Sequence, residues 1–208
     1  MTEPEGRREA SKRATRTAIL AAAKQMFGDR GFEAATVRDI ARAAGVTERT
    51  FYRYFDGKEG LIADEFLAWL AMLRQEIIGR PPGEPPVTAI RQAVGSLGER
   101  VTSGTGPVPL WLFSDGPPVT SLRRFALRPL LQLEAAISDA IIERAGTSSG
   151  PDLTFRARVI SRAAVSAMRS ALIQHRETST AGESRQKLPE LVDAAFAVLG
   201  QEYGRLPS

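Results

Sequence analysis

Residues 36–55, TVRDIARAAGVTERTFYRYF, are the part of the sequence richest in side chains whose types and spacing suit a chemical task. Thr36 followed three positions later by Asp39 is a capping box that opens a helix. Gly45 ends that helix in a tight turn, where a residue tolerant of positive φ is needed. Thr47 then suits the cap of a second short helix, with Glu48 in its first turn against the positive helix end. Val37, Ile40, Ala41, Val46, Phe51 and Phe55 supply one apolar side to the pair, and Ala41 is small enough to let the helices cross steeply. The other side of the second helix carries Glu48, Arg49, Thr50, Tyr52 and Arg53, all of which can hydrogen-bond. That composition suits a helix lying in the major groove of DNA. The same Ala and Gly spacing also builds helical corners in enzymes as plain packing, so on these residues alone both readings stand.

Other chemistries are excluded by residue type. The chain of 208 residues has no cysteine and one histidine, His175. Disulfides, cysteine nucleophiles and thiolate or histidine-rich metal sites are thereby ruled out. There is no HExxH pattern and no phosphate-cradling glycine loop, and the acidic residues are scattered instead of paired. No catalytic residue, metal site or cofactor is expected, and the chain does not read as an enzyme. The longest apolar run, residues 66–73, falls well short of the ~18 residues of a membrane span. With a polar N-terminus lacking a signal segment, a soluble cytoplasmic protein is the expectation.

Charge is unevenly spread. The 28 basic and 24 acidic side chains leave a net charge of only +4, yet residues 7–16 hold Arg7, Arg8, Lys12, Arg13 and Arg16 against Glu9 alone. From residue 61 onward 16 basic side chains face 15 acidic ones. A basic end on a near-neutral body suits a polyanion-binding module. Residues 1–13 are expected to form a flexible basic arm.

Helices must position the polar face, and the rest of the chain supplies them. Ile19, Leu20, Ala23 and Phe27 recur at three- and four-residue steps across residues 15–27, and Gly31 follows as a stop. After the Asp56-Gly57 turn a longer helix is expected from Lys58 to Ile78. Four prolines within residues 80–86 break the chain. Helical periodicity returns over residues 87–101, 119–144, 151–176 and 188–203. Residues 103–118 are rich in Gly and Pro yet apolar, and should be irregular but partly buried. No period-two strand pattern is present. The fold class is all-α, with a helix-turn-helix domain over residues 14–60 and a helical domain over 61–208.

The longer string GFEAATVRDIARAAGVTERTFYRYFDGKEGLI, preceded by a helix ending AKQMF, closely resembles the N-terminal domain of the TetR family of transcriptional repressors over residues 14–62. One departure is Gly57, where the family usually has a capping serine; glycine is tolerated at a cap. The resemblance implies that Thr36 bonds a backbone phosphate, that Arg38 reaches a base edge, and that Thr47, Tyr52, Tyr54 and Lys58 meet phosphates. Glu48, Arg49, Thr50 and Arg53 match positions that vary with operator sequence. It also implies a homodimer that represses from double-stranded, palindromic operator DNA and is released by a small-molecule effector.

The remaining helices offer candidates for the other two tasks. Ala163, Ala164, Ala167 and Ala171 give one helix small side chains that permit close approach. Leu188, Leu191, Val192, Ala195, Phe196 and Leu199 form an apolar stripe on another. Two such helices from each subunit would make a four-helix dimer interface; packing inside one subunit would use the same stripes. For an effector pocket the candidates are Trp69, Leu73, Leu110, Trp111, Phe113, Phe125 and Leu172, with Arg128 to pair with an acidic group. The segment LRRFALRPLLQLEAAISDAIIERAG resembles the C-terminal domain of family members thought to bind acyl-CoA-like ligands.

Overall fold

The computed structural model describes residues 3–102, 127–146, 151–180 and 187–203, and every regular element among them is an α-helix. In chain order these are α1 (Glu3–Arg30), α2 (Val37–Ala43), α3 (Glu48–Tyr52), α4 (Gly57–Ile78), α5 (Pro86–Thr102), α6 (Leu127–Ala145), α7 (Pro151–Thr180) and α8 (Leu188–Tyr203). Most bounds agree with the periodicity to within a residue or two. The exceptions are α7, which runs four residues past Arg176, α1, which starts twelve residues early and ends three late, and α6, of whose expected span the first part, residues 119–126, lies outside the described residues. The expected flexible arm over residues 1–13 is helix from Glu3 onward. Its composition explains why, since Glu, Arg, Lys and Ala are strong helix formers and acidic residues at the start suit the helix dipole. The expected irregular segment 103–118, with Leu110, Trp111 and Phe113, lies outside the described residues, as does Phe125.

The described residues divide into two compact units, one up to Phe66 and one from Leu67 on, so the boundary falls within α4. In the first unit Ile19, Ala22 and Ala23 of α1, Ile40 and Ala41 of α2, Phe51 of α3, Phe55 and Leu61 form a single buried cluster. The α1–α2 and α2–α3 pairs are packed around it. Burial of this set is what makes α3 possible, because a helix of five residues is far below the length that is stable alone.

In the second unit α7 packs along both α6 and α8, and α5 closes on α8. Its core includes Leu73, Ile77, Ile90, Leu97, Ile137 and Ala157. Here the expected dimer stripes need correcting. Ala164 and Phe196 are 0% and 2% exposed in a single chain, and Ala167 and Ala171 are buried as well. These four residues fill the interior of the subunit and have no surface left for a partner. Leu191, Val192, Ala195 and Leu199 are half-buried beside them on α8. Of the pocket candidates in this unit, Trp69 and Leu73 are buried on α4 and Leu172 is half-buried on α7, while Arg128 lies in the first turn of α6.

Candidate nucleic-acid interface

Two threonines set the geometry of the face. Thr36 has extended backbone angles (φ −107°, ψ 152°), and its Oγ1 accepts the Asp39 amide at 3.1 Å. The capping box closes through the hydroxyl, which donates to Asp39 Oδ2 at 2.7 Å, while Asp39 Oδ1 accepts from Arg42 Nη2, also at 2.7 Å. Thr47 repeats the arrangement at the start of α3, its Oγ1 accepting the Thr50 amide at 3.1 Å and donating to Thr50 Oγ1 at 3.0 Å. Between the helices Gly45 has φ +70°, the left-handed conformation the turn requires. The Val46 amide closes the turn on the Ala41 carbonyl at 2.9 Å.

This frame turns one side of α3 inward and the other outward. Phe51 is fully buried, whereas Glu48, Arg49, Tyr52 and Arg53 are exposed and Thr50 is intermediate. Tyr52 is 59% exposed, braced by an edge-on contact with the Phe51 ring at 5.6 Å. Arg38 reaches across from α2, its Nε donating to Glu48 Oε1 at 3.3 Å, so these two side chains form one unit on the face. Both are well exposed, which makes the pair weak in water and easily opened.

Two of the expected phosphate ligands have other engagements. Tyr54 is half-buried against the hydrophobic cluster, with the Arg53 guanidinium 5.2 Å from its ring centroid. The Lys58 ammonium donates to the carbonyl of Phe32 at 2.8 Å, with Glu33 and Ala35 carbonyls at 3.3 and 3.4 Å. It also sits 4.3 Å from the Phe32 ring centroid, and that ring packs edge-on against Phe27 at 5.2 Å. Lys58 therefore ties the start of α4 to the α1–α2 connection. Gly57, beside it, has φ +75°, so it is more than a tolerated stand-in for a capping serine: an L side chain there would be strained.

Sequence reasoning missed the contacts that join distant segments. Arg16 on α1 bonds Asp64 Oδ2 of α4 at 2.6 Å and lies 5.4 Å from the centroid of the Phe55 ring. Next to it, burial pushes the Glu65 carboxyl above its ordinary range, an effect that Lys24 and Arg16 partly offset. No local pattern marks these pairings, because the partners are tens of residues apart. Among the described residues no group of His, Cys, Asp or Glu is arranged to hold a metal ion. Nor is any helix among them long and apolar enough to cross a membrane.

An all-α chain whose first unit presents a capped, polar five-residue helix above a buried phenylalanine is a helix-turn-helix protein. Comparison with known proteins narrows this. Residues 19–64 match the family described as bacterial regulatory proteins, tetR family. The transcriptional repressor KstR2 of Rhodococcus jostii is 43% identical over 67 residues, 32% of this chain and 32% of that protein. The transcriptional regulator TcmR of Streptomyces glaucescens is 35% identical over 106 residues, 48% of this chain and 44% of that one. The chain thus matches these curated relatives over less than half of their length. Among solved structures, FadR of Thermus thermophilus, a TetR-family repressor in complex with lauroyl-CoA, has a TM-score of 0.58 at 23% identity, covering 93% of this chain and 96% of its own. FadR of Bacillus halodurans gives 0.56 at 17% identity, covering 89% and 94%. At such identities what is shared is the fold. Over residues 19–64 the chain is similar to the DNA-binding domain of the TetR family.

Proposed function

We propose that the protein is a dimeric, cytoplasmic transcriptional repressor that occupies a palindromic operator and leaves it when a small molecule enters the C-terminal unit. The observation that carries the reading is the division of α3 into a buried Phe51 and an exposed, hydrogen-bonding remainder. Arg38 and the exposed residues of α3 are the base-reading candidates, and Thr36, Thr47 and Tyr52 the phosphate candidates. Dimerisation is supported by apolar side chains on the outer surface of the second unit. Phe155 is 66% exposed on α7, Val159 and Ile173 lie uncovered on the same helix, and Val198 does so on α8. A second copy covering them would bring two α3 helices to a two-fold operator, whose half-sites lie about 34–36 Å apart.

The relatives support repression, since KstR2 is a repressor. The same fold also serves the dihydroxyacetone kinase operon activator DhaS, at a TM-score of 0.54 and 20% identity, so an activating role is the second reading. For the effector, the lauroyl-CoA complex of the Thermus thermophilus repressor favours an acyl-CoA-like molecule as the first class to try. Release follows when such a ligand prefers a conformation whose recognition helices no longer match the half-site spacing. The test is selection of duplexes from a randomised pool, followed by a reporter assay on the selected site. A palindromic consensus whose reporter is silenced by the protein supports repression, stimulation supports the second reading, and failure to enrich any sequence refutes both.

A further inference from the structure

We infer that Glu48 is the positioning residue for Arg38, and that the two side chains read one G·C pair as a unit, arginine on the guanine and glutamate on the cytosine. The inference rests on the operator reading above and deepens it, because it names the base pair that this part of the face selects. Arg38 lies on α2 and Glu48 opens α3, ten residues further on, and the Gly45 turn brings them together. The contact uses a particular atom: Arg38 donates through Nε, to Glu48 Oε1 at 3.3 Å. The terminal fork of the guanidinium, Nη1 and Nη2, is left without a partner among the described residues, and so is Glu48 Oε2. The neighbouring acid is committed elsewhere. Asp39 holds the Thr36 hydroxyl and Arg42, so Glu48 is the carboxylate that meets Arg38.

The atoms left over are two donors and one acceptor. In the major groove a G·C pair presents guanine N7 and O6 as acceptors, then the N4 amino group of cytosine as donor. The match is one to one. A·T and T·A present acceptor, donor, acceptor, and C·G presents donor, acceptor, acceptor, so each sets like against like at two positions. A carboxylate at the start of α3 also suits the helix dipole. That alone would not bring an arginine of another helix onto it, and it carries no base preference. In water the pair is weak, because both side chains are exposed; a duplex that displaces the water strengthens it and the bonds it makes to the bases. The pair carries no net charge, so it adds selectivity and little general attraction to phosphate.

The test uses the full chain and a duplex that wild type selects from a random pool. Arg38→Ala, Glu48→Ala and the doubly substituted protein are each titrated against every base pair at each operator position. Arg38→Ala locates the pair that the arginine reads. Glu48→Ala should relax discrimination at that same pair by about 5- to 150-fold, and the double variant should be no less selective there than Arg38→Ala alone. Replacing the guanine by 7-deazaguanine, which lacks the N7 acceptor, should weaken wild type and leave Arg38→Ala unmoved. Glu48→Ala should bind non-specific duplex at least as tightly as wild type, because a carboxylate has left the DNA-facing surface. Loss of a merely structural helix charge would instead weaken binding to every duplex alike. The inference is overturned if the pair relaxed by Arg38→Ala is not G·C. It is equally overturned if Glu48→Ala keeps wild-type discrimination there, relaxes a different pair, or loses affinity equally on all sequences. Failure of wild type to select any duplex overturns the operator reading instead.

Discussion

Replacing Lys58 by alanine separates a structural lysine from a phosphate ligand. The ammonium makes one short hydrogen bond, to the Phe32 carbonyl at 2.8 Å, and two longer ones, and it lies 4.3 Å from the Phe32 ring centroid. A hydrogen bond to a charged group is worth about 1.5–3 kcal/mol. The site is only part-buried, so the lower end applies, and a cation over an aromatic ring adds about 0.5–1 kcal/mol. The expected loss is about 2 kcal/mol, located in the first unit. If that unit melts by itself, its midpoint should fall by about 8–16 °C, which differential scanning calorimetry resolves. Because the ammonium is spent on carbonyls, the salt dependence of operator binding should stay as in wild type. The reasoning is refuted if Lys58→Ala melts like wild type while its salt slope drops by about 1.8, the signature of one lost phosphate contact in each of two subunits.

Three further outcomes are expected. Arg38→Ala should relax discrimination at one base pair per half-site by about 1–3 kcal/mol, measured by competition among operator variants, with little change in affinity for non-specific duplex. Glu65→Gln should raise the melting temperature at pH 7. Burial raises the folded-state pKa above its unfolded value, so the carboxyl favours the folded chain at low pH and that favour is lost as pH rises through the folded value. The gain should therefore shrink as the melts are repeated toward pH 4, and a gain independent of pH would exclude titration as its cause. Phe155→Asp should leave a folded subunit that sediments as a monomer and no longer binds operator. Phe196→Asp, which buries a charge inside one chain, should instead unfold the second unit by far-ultraviolet circular dichroism.

Much of the first unit was legible because its instructions are local. Thr36 and Thr47 act three residues away, Gly45 acts on its own backbone, and Phe55 is brought beside Phe51 by the turn after α3, its amide donating to the Phe51 carbonyl at 3.0 Å. What failed was any inference about the far partner of a residue. Periodicity announces that Ala164, Ala167, Ala171 and Phe196 are covered, but not whether by the same chain or by another, and here the same chain covers them. Lys58 looks like a free cation at a helix start until carbonyls 23 to 26 positions earlier are brought under it. Residues 1–13 read as a flexible arm by their charge, yet helix propensity decides the backbone from Glu3 onward.

On the function proposed above, the five residues of α3 divide their duties so sharply that the protein's address on a chromosome is detachable from its architecture. Phe51 alone among them is buried, while Glu48, Arg49 and Tyr52 stand exposed on the same turn and a half. Exposed substitutions of that kind typically shift stability by no more than ~0.5 kcal/mol. A lineage can therefore drift from one operator to another by single changes, with each intermediate still folded. The same economy makes the helix a convenient place to graft a new sequence preference, provided that the phenylalanine and the two capping threonines are left alone.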